Sequence, residues 1–239
     1  NIVDEANLKV SNSPTNGYVL TAQSGNTGGL TWAVDAGGAT SLDGLSDVKY
    51  GGSDFANSLI IGHTTTGTIS SAEYNTAIGH QSLDAITTGD SNSALGSSAL
   101  GANTTGTNNV AVGRNALILS TTGSGNTALG KDSLANNSTA SNNTAVGLNA
   151  LGGNTTGTGN VAVGFQALDA NTTGGQNVSI GQNALGANTT AAENTALGFQ
   201  SLDANTTGAS NTAVGAYSLD ANTTGAYNTA VGRGALGAS

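Results

Sequence analysis

The stretch NTAVGAYSLDANTTG at residues 211–225 decides the reading of this chain, because near-copies of it precede it at a fixed interval. Asparagine recurs every 17 residues from Asn75 through Asn92 and Asn109 to Asn228. Counting that Asn as position one, position five is always Gly (Gly79, Gly96, Gly113 and onward to Gly232). Position nine is always Leu (Leu83, Leu100, Leu117 and onward to Leu236). Position three is Ala except at Ser179, position four is Ile, Leu or Val, and position fourteen is Thr from Thr88 to Thr224. No insertion disturbs the register.

A 17-residue unit is too short for leucine-rich, ankyrin, tetratricopeptide or propeller repeats. Helix is disfavoured by the Gly, Thr and Asn of every unit and by the lack of an apolar face at 3.6-residue spacing. The expected fold is therefore all-β, a parallel β-solenoid or β-roll of 17-residue coils. Two short strands per coil are expected, one at Asn-Thr-Ala-Val and one around Ala-Leu, with Asn-Thr-Thr-Gly turning into the next coil. Stacked about 4.8 Å apart, like residues stand in columns. Asn columns make amide ladders, Thr columns hydroxyl ladders, and the Leu and Val columns a thin continuous core. The invariant Gly is expected at a corner that needs either a positive φ or a close backbone approach.

Composition excludes much else. Of 239 residues, 37 are Gly and only 8% are charged, with no Cys and no Met, so disulfides, thiol catalysis and thiolate metal sites are absent. The net charge is −9 and the five Lys and Arg are scattered, which leaves no basic stripe for nucleic acid. No apolar run is long enough for membrane insertion as a helix, and no signal peptide is visible. The missing Met and a last coil cut short predict a segment or processed product of a longer chain, continuing beyond Ser239.

Energetics point to an oligomer. One buried Leu and one buried Val per coil contribute about 1.5–3 kcal/mol each. Ordering each backbone residue costs roughly 1–2 kcal/mol. A single thin solenoid is marginal, and a homotrimer that buries a further face is the expected remedy.

Three regions follow: residues 1–57, a β-hairpin module with a neck or connector; residues 58–74, a degenerate entry coil; and residues 75–239, the solenoid. In the first, Tyr18-Val-Leu-Thr21 and Leu30-Thr-Trp-Ala-Val34 read as strands, with Trp32 anchoring a small core.

Units such as NVAVGFQALDANTTG (160–174) and NTAVGAYSLDANTTG (211–225) resemble repeat tracts of bacteriophage tail-fibre proteins, notably those of marine cyanobacterial phages. The opening, LKVSNSPTNGYVLTAQSGNTGGLTW (8–32) and LDGLSDVKYGG (42–52), is similar to the segment before such tracts. The likeness implies a structural, virion-located, extracellular fibre segment that supports host attachment. Its implied partners are its own copies, other tail-fibre or virion proteins and a host surface glycan. A looser similarity to the head domains of trimeric autotransporter adhesins implies a rival, a stalk on a bacterial cell surface. That likeness also implies a left-handed roll, built there from a shorter repeat. A further rival is an ice-binding solenoid, although adjacent Thr residues point to opposite faces and leave a poor flat array.

Candidate sites are few. His63 and His80 share a column one coil apart, and their chemistry is metal ligation. With no clustered carboxylate beside them, solvent-facing corners are expected instead. The sequons at Asn103, Asn154, Asn171, Asn188, Asn205 and Asn222 are expected to be ladder positions, and Asp203 and Asp220 a water-facing column. No catalytic constellation, dinucleotide motif or calcium-binding repeat is found, so no enzyme activity and no cofactor are expected. Variation concentrates at positions six and seven, which are expected to be exposed corners. There Phe165, Phe199 and Tyr217, together with Tyr227, are candidates for glycan contact or for packing between chains.

Overall fold

The computed structural model describes residues 71–237 throughout, together with four earlier strands: β1 (Tyr18–Ala22), β2 (Leu30–Val34), β3 (Val48–Tyr50) and β4 (Leu59–Ile61). His63, the side chain of Trp32 and most of the entry coil lie outside the described residues. The chain forms two compact units, Asn1–Val48 and Lys49–Ser239. In the first, β1 and β2 pair antiparallel with Tyr18 opposite Val34.

The second unit is a parallel β-solenoid. Its regular strands are β5 (Thr76–Ile78), β6 (Ser93–Leu95), β7 (Val110–Val112), β8 (Thr127–Leu129), β9 (Thr144–Val146), β10 (Val161–Val163), β11 (Val178–Ile180), β12 (Thr195–Leu197), β13 (Thr212–Val214) and β14 (Thr229–Val231). They stack in chain order within one 12-stranded sheet that begins at β3. Pairing sets each residue opposite its equivalent one unit on, as with Val161 and Val178 or Thr212 and Thr229. Register therefore follows directly from the repeat.

The corner after each strand explains the invariant Gly. Gly79 has a φ of +136°, and a Cβ built there would lie 2.6 Å from the carbonyl oxygen of Gly96 in the next coil. Both expected reasons apply at once: the backbone is in a region closed to L side chains, and the neighbouring coil occupies the space.

Two expectations are corrected. The Ala-Leu segment is not a second strand, because positions seven and nine are left-handed in every coil; φ is 57° at Gln81 and 50° at Leu83. These two residues bracket position eight and curl the chain so that the Leu side chain turns inward. Coil-to-coil hydrogen bonding persists without strand dihedrals, since Leu83 N–H donates to Ala99 O at 3.0 Å. A left-handed site is costlier for residues branched at Cβ, which fits the use of Leu rather than Val or Ile at position nine.

The second correction concerns the core. It is made of the Ala column at position three, Ala or Ser at position eight and Leu at position nine, as in Ala111, Ala116 and Leu117, all fully buried. The Val, Ile and Leu of position four are not in it. In a three-residue strand side chains alternate, so turning the central Ala inward sends positions two and four outward. Ile78 is 43% exposed and Leu95 50%.

Polar ladders fill the remainder of the interior. At each of nine steps the N–H of one position-one Asn donates to Oδ1 of the Asn below, as from Asn92 to Asn75 at 2.9 Å and from Asn228 to Asn211 at 2.9 Å. Asn92 Nδ2 adds bonds to Asn75 Oδ1 at 3.1 Å and to Gly106 O at 2.9 Å. A second ladder rises at position twelve from Asn137 to Asn222, each Nδ2 donating to the Oδ1 below at 2.9–3.1 Å. The sequon asparagines are members of this column, and their amides are turned inward. The Thr column at position thirteen differs from a hydroxyl ladder: Thr172 Oγ1 donates to the backbone O of Thr189 at 3.0 Å rather than to its hydroxyl.

Candidate interaction surface

Because positions two and four face outward, the sheet presents a continuous outer face ten regular strands long. Position two supplies Thr, Ser or Val, and position four an unbroken file of Ile, Leu and Val from Ile78 to Val231. At about 4.8 Å per strand and 3.3 Å per residue this face is about 45 Å by 10 Å. The corner residues at position six and at position seventeen border it and widen it. Monomeric proteins rarely leave an apolar patch of several hundred square ångströms open to water without an interaction to use it.

Position six is exposed at His80, Arg114, Lys131, Leu148, Phe165 and Phe199, as its variability implied. Phe199 and Tyr217 are brought together edge-on, with ring centroids 5.3 Å apart, and Arg233 lies 5.7 Å above the Tyr217 ring. Phe165 stands two coils before Phe199 on the same border. Tyr227, 84% exposed, sits at position seventeen on the opposite border. The four aromatic candidates therefore flank the face from both sides and do not form one pocket.

His80 is an exposed corner residue. Among the described residues no three His, Cys, Asp or Glu side chains gather as a metal site would require. An open depression of about 260 Å³ lies over Gly101, with Gln81, Asp84 and Ser98 on its polar side and Ile118 and Leu119 on its apolar side.

The position-ten Asp column is partly buried rather than freely solvated, which corrects the expectation for Asp203 and Asp220. Burial pushes the Asp169 carboxyl up, and the charge of Asp203 adds to this, while backbone hydrogen bonds at Asp169 and Ala170 act the other way. Burial also raises Asp203, reinforced by Asp220 and opposed by a hydrogen bond from Gln200. Asp132 moves oppositely: burial alone would raise it, but hydrogen bonds from Asn115 and Lys131 and the nearby Arg114 charge hold it below the usual range.

Thr column geometry bears on water ordering. Position fourteen is exposed at every coil from Thr88 to Thr224, whereas the position-thirteen hydroxyl is used on backbone. One rank of free Thr hydroxyls results, not two. Sequence alone did not indicate the outer apolar face. The alternation of Asn, Thr, Ala and Val, with Asn and Ala inside, was the signal that carried it.

In comparisons with known proteins, the chain matches no family model, no curated protein and no solved structure.

Proposed function

We propose that this chain is a rigid structural segment of an extracellular attachment fibre, of the tail-fibre kind that its repeats resemble, and that it works as a homotrimer. Its role is mechanical: a stacked rod that holds a receptor-binding element away from the particle or cell that carries it. The observation that carries this reading is the unpartnered apolar face along the whole regular sheet. Three residues of strand and a corner on each side span about 20 Å, so each copy offers on the order of 900 Å², close to the roughly 800 Å² per partner of a standard interface. The face repeats at the coil pitch, and the partner that matches this pitch along its full length is another copy of the same chain.

Phe165 and Phe199, beside the face, fit packing between copies better than a separate recognition site. Sedimentation of the full chain tests the reading. The expected mass is three times 23.0 kDa, and Val146→Lys with Val163→Lys, which places two charges in the middle of the face, is expected to yield monomer with unchanged far-ultraviolet circular dichroism. A wild-type chain that sediments as a monomer at micromolar concentration refutes it.

A further inference from the structure

We infer that the notch over Gly101 binds a primary alkylammonium group, with the ammonium held among oxygen acceptors and its hydrocarbon body laid on Ile118 and Leu119. Position ten is glycine at Gly101, Gly152, Gly186 and Gly237. At the last three, a neighbouring side chain takes the space that the missing Cβ leaves. Asn149 Oδ1 fills it at Gly152, Asp203 Oδ1 lies 2.8 Å from the Cβ position at Gly186, and Asp220 Oδ1 lies 2.6 Å from it at Gly237. At Gly101 the nearest atoms are instead two backbone oxygens, Gln81 O and Ser98 O, each 3.3 Å from that position. The sequence explains the difference. Position seven of this coil is Ser98, too short to fold over Gly101 as Asn149 folds over Gly152. Position ten of the next coil is Ile118, which has no polar tip to turn back as Asp203 does.

The lining selects the ligand. Its polar end carries the Asp84 carboxylate, the Gln81 side chain, the Ser98 hydroxyl and the two carbonyl oxygens, and among the described residues no Lys, Arg or His joins them. Acceptors therefore dominate. The group that satisfies several acceptors at once while neutralising a carboxylate is an ammonium, which has three N–H donors and no acceptor. The opposite wall is Ile118 and Leu119, and Leu119 is 51% exposed. A hydrocarbon body lying there removes apolar surface from water. Asp84 and Ile118 hold the same position two coils apart, about 9.6 Å along the rod. An extended chain of about five carbons ending in nitrogen is about 6–7 Å long and fits between them. Volume agrees: a cavity of about 150 Å³ holds benzene, so the 260 Å³ here takes such an amine with a few waters. Positions ten and eleven lie outside the apolar sheet face and its corners at six and seventeen, so the inference does not depend on the homo-oligomer.

Titration of the full chain with n-pentylamine, followed by ligand-observed NMR, tests the site against n-pentanol, which has the same body without the charge. Wild type is expected to bind pentylamine with a Kd of about 1 mM and pentanol about ten-fold more weakly. Asp84→Asn is expected to erase that preference, and Asp220→Asn, in the same column at the far end of the rod, to leave it intact. Gly101→Ile supplies the side chain that Ile118 carries one coil on, and is expected to abolish binding of both probes with unchanged far-ultraviolet circular dichroism. The inference is overturned by wild-type chain that shows no binding at about 10 mM amine, by equal affinity for the two probes, by a preference that survives Asp84→Asn, or by binding that survives Gly101→Ile. A lysine side chain and a small free amine share this chemistry, and Nα-acetyl-lysine N-methylamide separates them. Tighter binding than pentylamine supports the site as one for a lysine of a partner protein, and weaker binding supports it as one for a free amine.

Discussion

Ser120→Asn should stabilise the solenoid. The position-twelve ladder runs unbroken from Asn137 to Asn222, and Asn103 belongs to the same column. Between them stands Ser120, fully buried, whose shorter side chain reaches neither neighbour. Its Oγ and the Oδ1 of Asn103 are both left without a hydrogen-bond partner. A buried polar atom in that state costs about 1–3 kcal/mol. Asparagine at 120 would place Nδ2 in the place that Asn154 Nδ2 takes two coils on, donating to the Oδ1 below as Asn154 does to Asn137 at 3.0 Å. It would also donate to Gly123 O, as Asn137 does to Ala140 O at 3.0 Å. Its own Oδ1 would accept from Asn137. The space is consistent with the rest of the column, since Gly123 keeps the small residue found three positions after each ladder Asn.

After subtracting the cost of ordering one more side chain, the expected gain is about 2 kcal/mol. For a chain of this size that corresponds to a rise of about 4–8 °C in Tm. Thermal and urea unfolding followed by circular dichroism measure it. The reverse change, Asn171→Ser, removes the bonds from Asn171 to Asn154 and from Asn188 to Asn171 and should cost a similar amount. A neutral or destabilising Ser120→Asn, alongside a costly Asn171→Ser, would refute the idea that the interruption is a defect in the ladder rather than an accommodated variant.

Other perturbations are equally direct. Gly164→Ala forces a side chain onto a φ of +140° with its Cβ 2.6 Å from Gly181 O; a loss of about 2–5 kcal/mol is expected in urea unfolding. Leu168→Ala should cost about 2–5 kcal/mol. Leu168→Val should cost more than the usual single-methylene change, because φ there is 55° and Val is branched at Cβ. For Asp169 and Asp203 the folded pKa lies above the ordinary 3.8. The folded state therefore holds more protons at these two groups than the unfolded one between those values, and their contribution to stability is fully present below pH 3.8 and is lost as pH rises through the folded pKa. Urea midpoints across that window should show the decline, and Asp203→Asn should flatten it.

The repeat makes much of this protein legible without coordinates. A 17-residue period with no insertion sets the strand register, the identity of the stacked columns and the place of the Asn ladder, because parallel pairing of equivalent residues requires nothing beyond a constant coil length. Gly79 and its equivalents are legible for the same reason: an invariant residue without a side chain in a stacked column implies a neighbour too close for one. Direction toward or away from the interior is a different kind of information. Placing the position-four aliphatics in the core followed hydrophobicity, whereas strand alternation with Ala and Asn turned inward sends them out, and that choice is made by how the coil closes. Closure itself depends on left-handed backbone at positions seven, nine and seventeen, most of which are non-glycine and so unmarked by residue type. The orphaned atoms at Asn103 and Ser120 and the partial burial of the Asp column likewise exist only once each coil is wrapped. A period is a property of spacing along the chain; which face it exposes is a property of the closed turn.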